Sequence, residues 1–229
     1  KTEFVSLASH QLRTPLSTIS WYAEMLLNGD AGALKVEQKR YLQEIYHGNQ
    51  RMIELVNALL NVSRLDLGTV VIDLAPTSLA KVADAVIHEL QPQIKERLIK
   101  FKKHYDKELP LIPADAKLLT IVFQNLLINA IKYTPPKGSV SLTIENGNPE
   151  IIIRVEDTGY GIPSNQQDKI FTKLFRADNV REKETAGTGL GLYLVKAVVE
   201  QSGGKVWFES KENVGTTFFV TIPTTGMKK

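Results

Sequence analysis

Apolar or small side chains recur at Val5, Ala8, Leu12, Pro15, Ile19, Tyr22 and Leu26 in alternating steps of three and four. That spacing commits the start of the chain to a helix with one apolar seam. Pro15 removes a backbone donor and crowds the preceding turn, so a bend is expected there. Asn28-Gly29-Asp30-Ala31-Gly32 interrupts the pattern as a turn. From about Val36 the seam returns through Ile45, Gly48, Met52, Leu55, Leu59 and Val62, and a second row at Ile53, Val56 and Leu60 widens it. Two helices joined by a short loop make an αα-hairpin, each helix roughly 40 Å long at ~1.5 Å per residue. A lone hairpin cannot bury both faces, so a homodimeric four-helix bundle is expected.

After Asp66-Leu67-Gly68-Thr69 the texture changes. Strands are expected over residues 70–74, 99–105, 140–145, 151–156, 205–210 and 216–222, with helices over 79–94, 114–133 and 190–202. This order suggests an α+β sandwich whose helices cover one face of a mostly antiparallel sheet. The expected organisation is multidomain, an all-α hairpin over 1–67 followed by the α+β part over 68–229. Residues 176–187 carry almost no large apolar side chains and read as a mobile loop that serves as a lid. A length of 229 residues suits such a division. The formal charge is only +3, and apart from Lys102-Lys103 and Lys228-Lys229 the lysines are dispersed, so no nucleic-acid partner is expected. Absence of cysteine excludes disulfide and thiolate chemistry and fits a reducing cytosol. No apolar run reaches the ~18 residues of a membrane span. With Lys1 already inside a helical pattern, a cytoplasmic fragment of a longer protein is expected, tied to a membrane only through a sensor portion outside this sequence.

Three stretches carry chemistry. Asn125 and Asn129, four apart, share one face of an otherwise apolar helix. A buried amide must find partners, so an internally satisfied pair competes with a ligand site. Lys132 and Tyr133, one turn on, add a cation for phosphate and a ring for stacking. Asp157-Thr158-Gly159-Tyr160-Gly161-Ile162-Pro163 sets a carboxylate at a strand end beside a glycine turn. Such a carboxylate can accept from an adenine amino group that glycines allow to approach. Gly187, Gly189 and Gly191, with Thr188, Leu190 and Leu192, run into a helix and can aim backbone N–H groups at phosphate oxygens. They lack the GxxxxGK[ST] spacing and follow a polar loop, which excludes a P-loop and argues against a Rossmann site. Ahead of all three stands His10, whose imidazole is a nucleophile and, with an unperturbed pKa of about 6.5, largely neutral at cellular pH.

SHQLRTPL around His10, NLLINAIKYT from Asn125, DTGYGIP from Asp157, IFTKLFR from Ile170 and GTGLGL from Gly187 occur in this order. In them the chain resembles, over essentially its whole length, the transmitter core of bacterial two-component sensor histidine kinases. The resemblance implies a dimerisation and phosphotransfer hairpin followed by a GHKL-type ATPase domain, with ATP and Mg²⁺ as cofactors and a response-regulator receiver domain as partner. It implies that Asn129 ligands Mg²⁺ with Asn125 beside it, that Lys132 meets the phosphates and Tyr133 packs near the nucleotide. Asp157 would read adenine, with Gly159, Gly161 and Ile162 in the same turn and Thr216 supporting that end. Phe171, Phe175 and Arg176 would anchor the start of the lid. Thr14 would help position the water that dephosphorylates the regulator, while Arg13 steadies a phosphate or faces solvent. Related gyrase-type ATPases have a glutamate where Asn125 stands; an amide cannot take a proton, so hydrolysis by water should be slow.

Gln11 departs from the acidic residue that the family usually has after its histidine. It can orient the imidazole but cannot accept the proton. Either water or a carboxylate such as Glu44 substitutes, or the kinase is slow or tightly gated, or the chain is a weakened variant. Two other functions compete with a kinase: a nucleotide-sensing dimer scaffold, and an ATPase that drives clamp closure. His47, His88 and His104 lack motif context, and no zinc spacing occurs. Trp21, Tyr22 and Met25 are expected on the bundle or receiver-docking surface.

Overall fold

The computed structural model describes residues 2–69, 71–181 and 187–227, with backbone alone over 2–10 and at 181. It divides into two compact units, a helical hairpin and an α+β unit that starts at Val71.

The hairpin pairs α1 (Thr2–Asn28) with α2 (Val36–Asp66). α1 runs through Pro15 without a break in helical assignment. Leu16 and Ala23 of α1 and Leu60 and Val62 of α2 are buried. Between the two helices Asn49, 4% exposed, donates its amide to the Leu16 carbonyl and to Ser20 Oγ, each at 2.7 Å. Of the expected seam and its second row, Val62 and Leu60 are buried, while much of the rest is open. Leu12, Ile19, Tyr22, Ile45, Met52, Leu55 and Leu59 are all at least 40% exposed. Two helices share a single line of contact, so a wide apolar stripe is left open, and a stripe of this kind marks an interaction surface.

The second unit contains β1 (Ala75–Thr77), α3 (Leu79–Glu96), β2 (Lys100–Tyr105), β3 (Ile112–Ala114), α4 (Ala116–Tyr133), β4 (Ser139–Asn146) and β5 (Glu150–Asp157). A 3₁₀ turn (Ser164–Lys169), α5 (Asp178–Arg181), α6 (Gly191–Gln201), β6 (Lys205–Lys211) and β7 (Gly215–Pro223) complete it. The main sheet has the order β2-β4-β5-β7-β6, antiparallel except for the β2–β4 pair. One sheet face carries Val140, Leu142, Ile144, Ile151, Ile153, Val155 and Val220, nearly or wholly buried, and the period-two alternation leaves their neighbours outward. Phe123, Leu126 and Leu127 of α4 and Val195, Val198 and Val199 of α6 are buried with them.

Two expectations are corrected. Residues 71–74 form no strand; the strand lies one step later, where β1 pairs with β3 and Pro76 stands opposite Pro113. Prolines read as punctuation in sequence, yet a two-stranded ladder with open edges tolerates their missing donors. α4 begins at Ala116, not at 114, because Asp115 takes the N-cap and accepts from the amides of Lys117 at 2.8 Å and Leu118 at 3.3 Å. The other oxygen of Asp115 accepts from the Asp73 amide at 3.0 Å. Asp115→Ala should therefore cost about 2 kcal/mol, the upper range for a lost cap. Urea unfolding followed by circular dichroism will measure this, and a loss within error of zero would remove Asp115 as the anchor of α4.

Candidate functional site

Near its middle, α4 presents Asn125 and Asn129, both half-buried. The Asn125 amide donates to the Ile121 carbonyl of its own helix at 2.7 Å, so its oxygen points away from the ladder. That oxygen lies against the first residue of α6: a Cβ on Gly191 would collide with Asn125 Oδ1. Glycine at 191 is thus required by close approach. At the end of α4, Lys132 Nζ stands 5.5 Å from the centre of the Tyr133 ring. The Tyr133 carbonyl accepts from the Tyr160 amide at 3.1 Å. A Cβ on Gly159 would come within 2.5 Å of that same carbonyl. The glycine turn after β5 therefore sits directly on the C-terminus of α4.

Asp157 ends β5, and the sheet register sets Thr216 of β7 opposite it. It is 8% exposed. Its carboxylate accepts from the Gly159 amide at 2.8 Å and from the Thr216 backbone. Burial pushes the Asp157 carboxyl up to about 6, against the pull of those two donors. A carboxylate has room for about four hydrogen bonds, so further N–H donors fit here. Beside it, Thr216 Oγ1 lies 2.8 Å from Ser210 Oγ, which accepts from the Ile162 amide at 2.9 Å. Ser210 was not singled out in sequence. Its only signal is a place opposite Thr216 in the β6–β7 register.

The loop before α6 packs on the phenylalanine-containing segment. Gly189 takes φ +69°, and a Cβ there would lie 2.7 Å from the Leu174 carbonyl carbon and 2.9 Å from the Phe175 oxygen. Leu190 is 1% exposed, whereas Leu192 is half-buried. Phe171 meets Phe208 edge-on at 5.9 Å between ring centres. Phe175 and Arg176 are half-buried. Gly187 is exposed with φ +139°, and Thr188 is half-buried. The expected lid loop begins with a helix, α5, in which Val180 is buried after Ala177; residues 182–186 lie outside the described residues.

The acceptor stretch belongs to the hairpin. Gln11, Arg13 and Thr14 are exposed on α1, and Arg13 Nη2 donates to Asn57 Oδ1 at 3.2 Å. The His10 side chain lies outside the described residues, and its backbone is helical. Among the described residues no group of three His, Cys, Asp or Glu is placed to hold a metal. No described helix is long and apolar enough to cross a membrane.

Comparison with known proteins adds two family matches. Residues 1–68 match the His Kinase A (phospho-acceptor) domain, and residues 114–226 match the histidine kinase-, DNA gyrase B- and HSP90-like ATPases. Both halves occur together in relatives of known kind. The circadian input-output histidine kinase CikA of Synechococcus elongatus is 36% identical over 227 residues, 97% of this chain and 30% of the relative. The sensor histidine kinase WalK of Bacillus subtilis is 34% identical over 225 residues, 97% of this chain and 36% of the relative. This chain belongs to the sensor histidine kinases. It spans about a third of the length of these two relatives. This histidine kinase is similar in fold to part of full-length ShkA solved in complex with AMPPNP, with a TM-score of 0.82 and 26% identity over 100% of this chain and 47% of that one. Histidine kinase ThkA in complex with response regulator protein TrrA matches with a TM-score of 0.67 and 25% identity, over 97% of this chain and 61% of that one.

Proposed function

We propose that this chain is the transmitter part of a sensor kinase that moves the γ-phosphoryl group of ATP to His10 and then to an aspartate of a response-regulator receiver domain. The observation that carries the reading is the convergence of three separate motifs on one helix. Asn125 abuts Gly191, and the Tyr133 carbonyl meets the turn that starts at Asp157. An adenine amino group suits a buried carboxylate that is already short of water. Backbone amides at the start of α6 suit phosphate oxygens, with Lys132 as the nearby cation. Mg²⁺ fits the amide oxygens offered here, with no carboxylate cage among the described residues, because this ion is held mainly by nucleotide phosphates and a few protein oxygens. Asn129 would hold the ion, which would neutralise charge on the phosphates.

In the transfer, a neutral ring nitrogen of His10 attacks the γ-phosphorus as the bond to the β,γ-bridging oxygen breaks. ADP leaves, and the other ring nitrogen gives up its proton. Arg13 and Thr14 lie one turn along the same helix, where they steady the phosphate and position the water that later dephosphorylates the regulator. Residues 1–67 act as the dimerisation and phosphotransfer domain and 68–229 as the ATP-binding domain. The exposed seam of Leu12, Ile19, Ile45, Met52, Leu55 and Leu59 supports a homodimer. ATP as substrate places the reaction in the cytoplasm, with any membrane link made through a sensor portion.

Intact mass after incubation with Mg²⁺ and ATP tests the reading. One acid-labile phosphate is expected on this chain and none on His10→Ala. An equal gain on the variant would place the acceptor elsewhere.

A further inference from the structure

The turn after Asp157 is held in an unusual way. At Gly161 the backbone takes φ +62°, and a Cβ would collide with the Lys211 carbonyl, so the turn has no slack on that side. Its next three polar backbone atoms are all bound by side chains. Asn179 Nδ2 of α5 donates to the Gly161 carbonyl at 3.0 Å. Ser210 Oγ accepts from the Ile162 amide at 2.9 Å. Gln167 Nε2 of the 3₁₀ turn donates to the Ile162 carbonyl at 3.0 Å and to the Ser210 carbonyl at 3.1 Å. Ser210 then leads through Thr216 to Asp157. The two donors are themselves braced. Gln166 exchanges hydrogen bonds with Asp178, Nε2 to Oδ2 at 2.7 Å and the Asp178 amide to Oε1 at 2.9 Å, which locks the 3₁₀ turn to α5.

We infer that Asn179 and Gln167 are positioning residues for base recognition, acting through the Gly161 and Ile162 carbonyls on the turn that frames the Asp157 carboxylate. This rests on the reading of Asp157 as the group that meets adenine. A residue present only to stabilise α5 would satisfy that helix. Asn179 instead spends its donor on Gly161, while its Oδ1 is buried with no partner among the described residues. Supporting groups of this kind govern how well a recognition group is aimed, and a small misplacement costs affinity for the ligand that needs the aim. Adenine needs it because its amino group donates. Guanine, which presents a carbonyl at the corresponding position, does not.

The test is calorimetric affinity of the 229-residue chain for ATP and for GTP with Mg²⁺, for Asn179→Ala, Gln167→Ala and Asp157→Asn, with thermal unfolding of each. Losing one aiming hydrogen bond should lower ATP affinity about five-fold. GTP affinity should change less, so the preference for ATP falls while melting shifts by no more than about 2 °C. Equal losses for both nucleotides, with a lower melting temperature, would mean a merely structural role and overturn the inference, as would unchanged affinities. Asp157→Asn separates the two levels. If it abolishes the preference while Asn179→Ala and Gln167→Ala keep it, only the positioning role fails. If the preference survives Asp157→Asn, the reading of Asp157 fails and this inference with it.

Discussion

Gln11→Glu should speed formation of phosphohistidine at His10 by about 10²-fold, the lower end of what a general base contributes. The attacking imidazole must shed a proton as the phosphoryl group arrives, and an amide cannot receive it. Gln11 is exposed on α1, so a glutamate there would keep an ordinary acidity and be ionised at neutral pH. The change lies in the hairpin, not the ATP-binding unit, so nucleotide affinity should hold and the gain should appear in the single-turnover rate of acid-labile phosphate formation. A rate within two-fold of the parent would show that the proton already leaves by another route; Glu44 is not that route, because Tyr46 beside it bonds Glu24 near the far end of α1, whereas Asn57 is the residue that meets Arg13.

Asp157→Asn should weaken ATP binding by roughly 10- to 100-fold, the range for losing a hydrogen bond to a charged group. The parent protein should also bind ATP less well as pH falls. Burial raises the Asp157 carboxyl from 3.8 to about 6, so the folded unit favours the protonated form between those values. The sign follows from proton linkage. An acid that holds its proton more tightly when folded contributes stability at low pH, and this is lost as pH rises from about 4 through 6, by about 3 kcal/mol in all. An adenine amino group has the opposite preference, since it needs the ionised acceptor. Affinity should therefore climb about ten-fold between pH 5 and pH 7 as the carboxylate forms. Titrations of both proteins across that window separate this from ionisation of ATP itself, which is common to the two. Parallel pH dependences would show that Asp157 does not meet the base.

The order of motifs and the two-part architecture were legible because each rests on a local rule. A seam of threes and fours makes a helix, and alternating burial makes strands such as β4 and β5. What could not be read was where partners would come from. The spacing shows that Leu12 and Ile19 share an apolar seam, but not that Leu16 and Ala23 are the buried positions of α1 while Leu12 and Ile19 stay exposed. The β1–β3 ladder was missed because Pro76 and Pro113 suppress a strand signal that only pairing restores. Ser210, Gln167 and Asn179 escaped for a related reason. Ser210 and Asn179 bond residues 48 and 18 positions away, and Gln167 ties Ile162, five positions back, to the distant Ser210, and no periodicity points to such pairings.

Both outer strands of the five-stranded sheet are bristling with charge. β2 exposes Lys100, Lys102 and Lys103, and β6 exposes Lys205, Glu209 and Lys211. Another strand arriving at either border would have to strip water from these groups before forming its first backbone hydrogen bond. Growth of the sheet from molecule to molecule is thereby discouraged. The apolar stripe on the hairpin carries no such charge at Leu12, Ile19, Met52 or Leu59, so a second copy meets less resistance there.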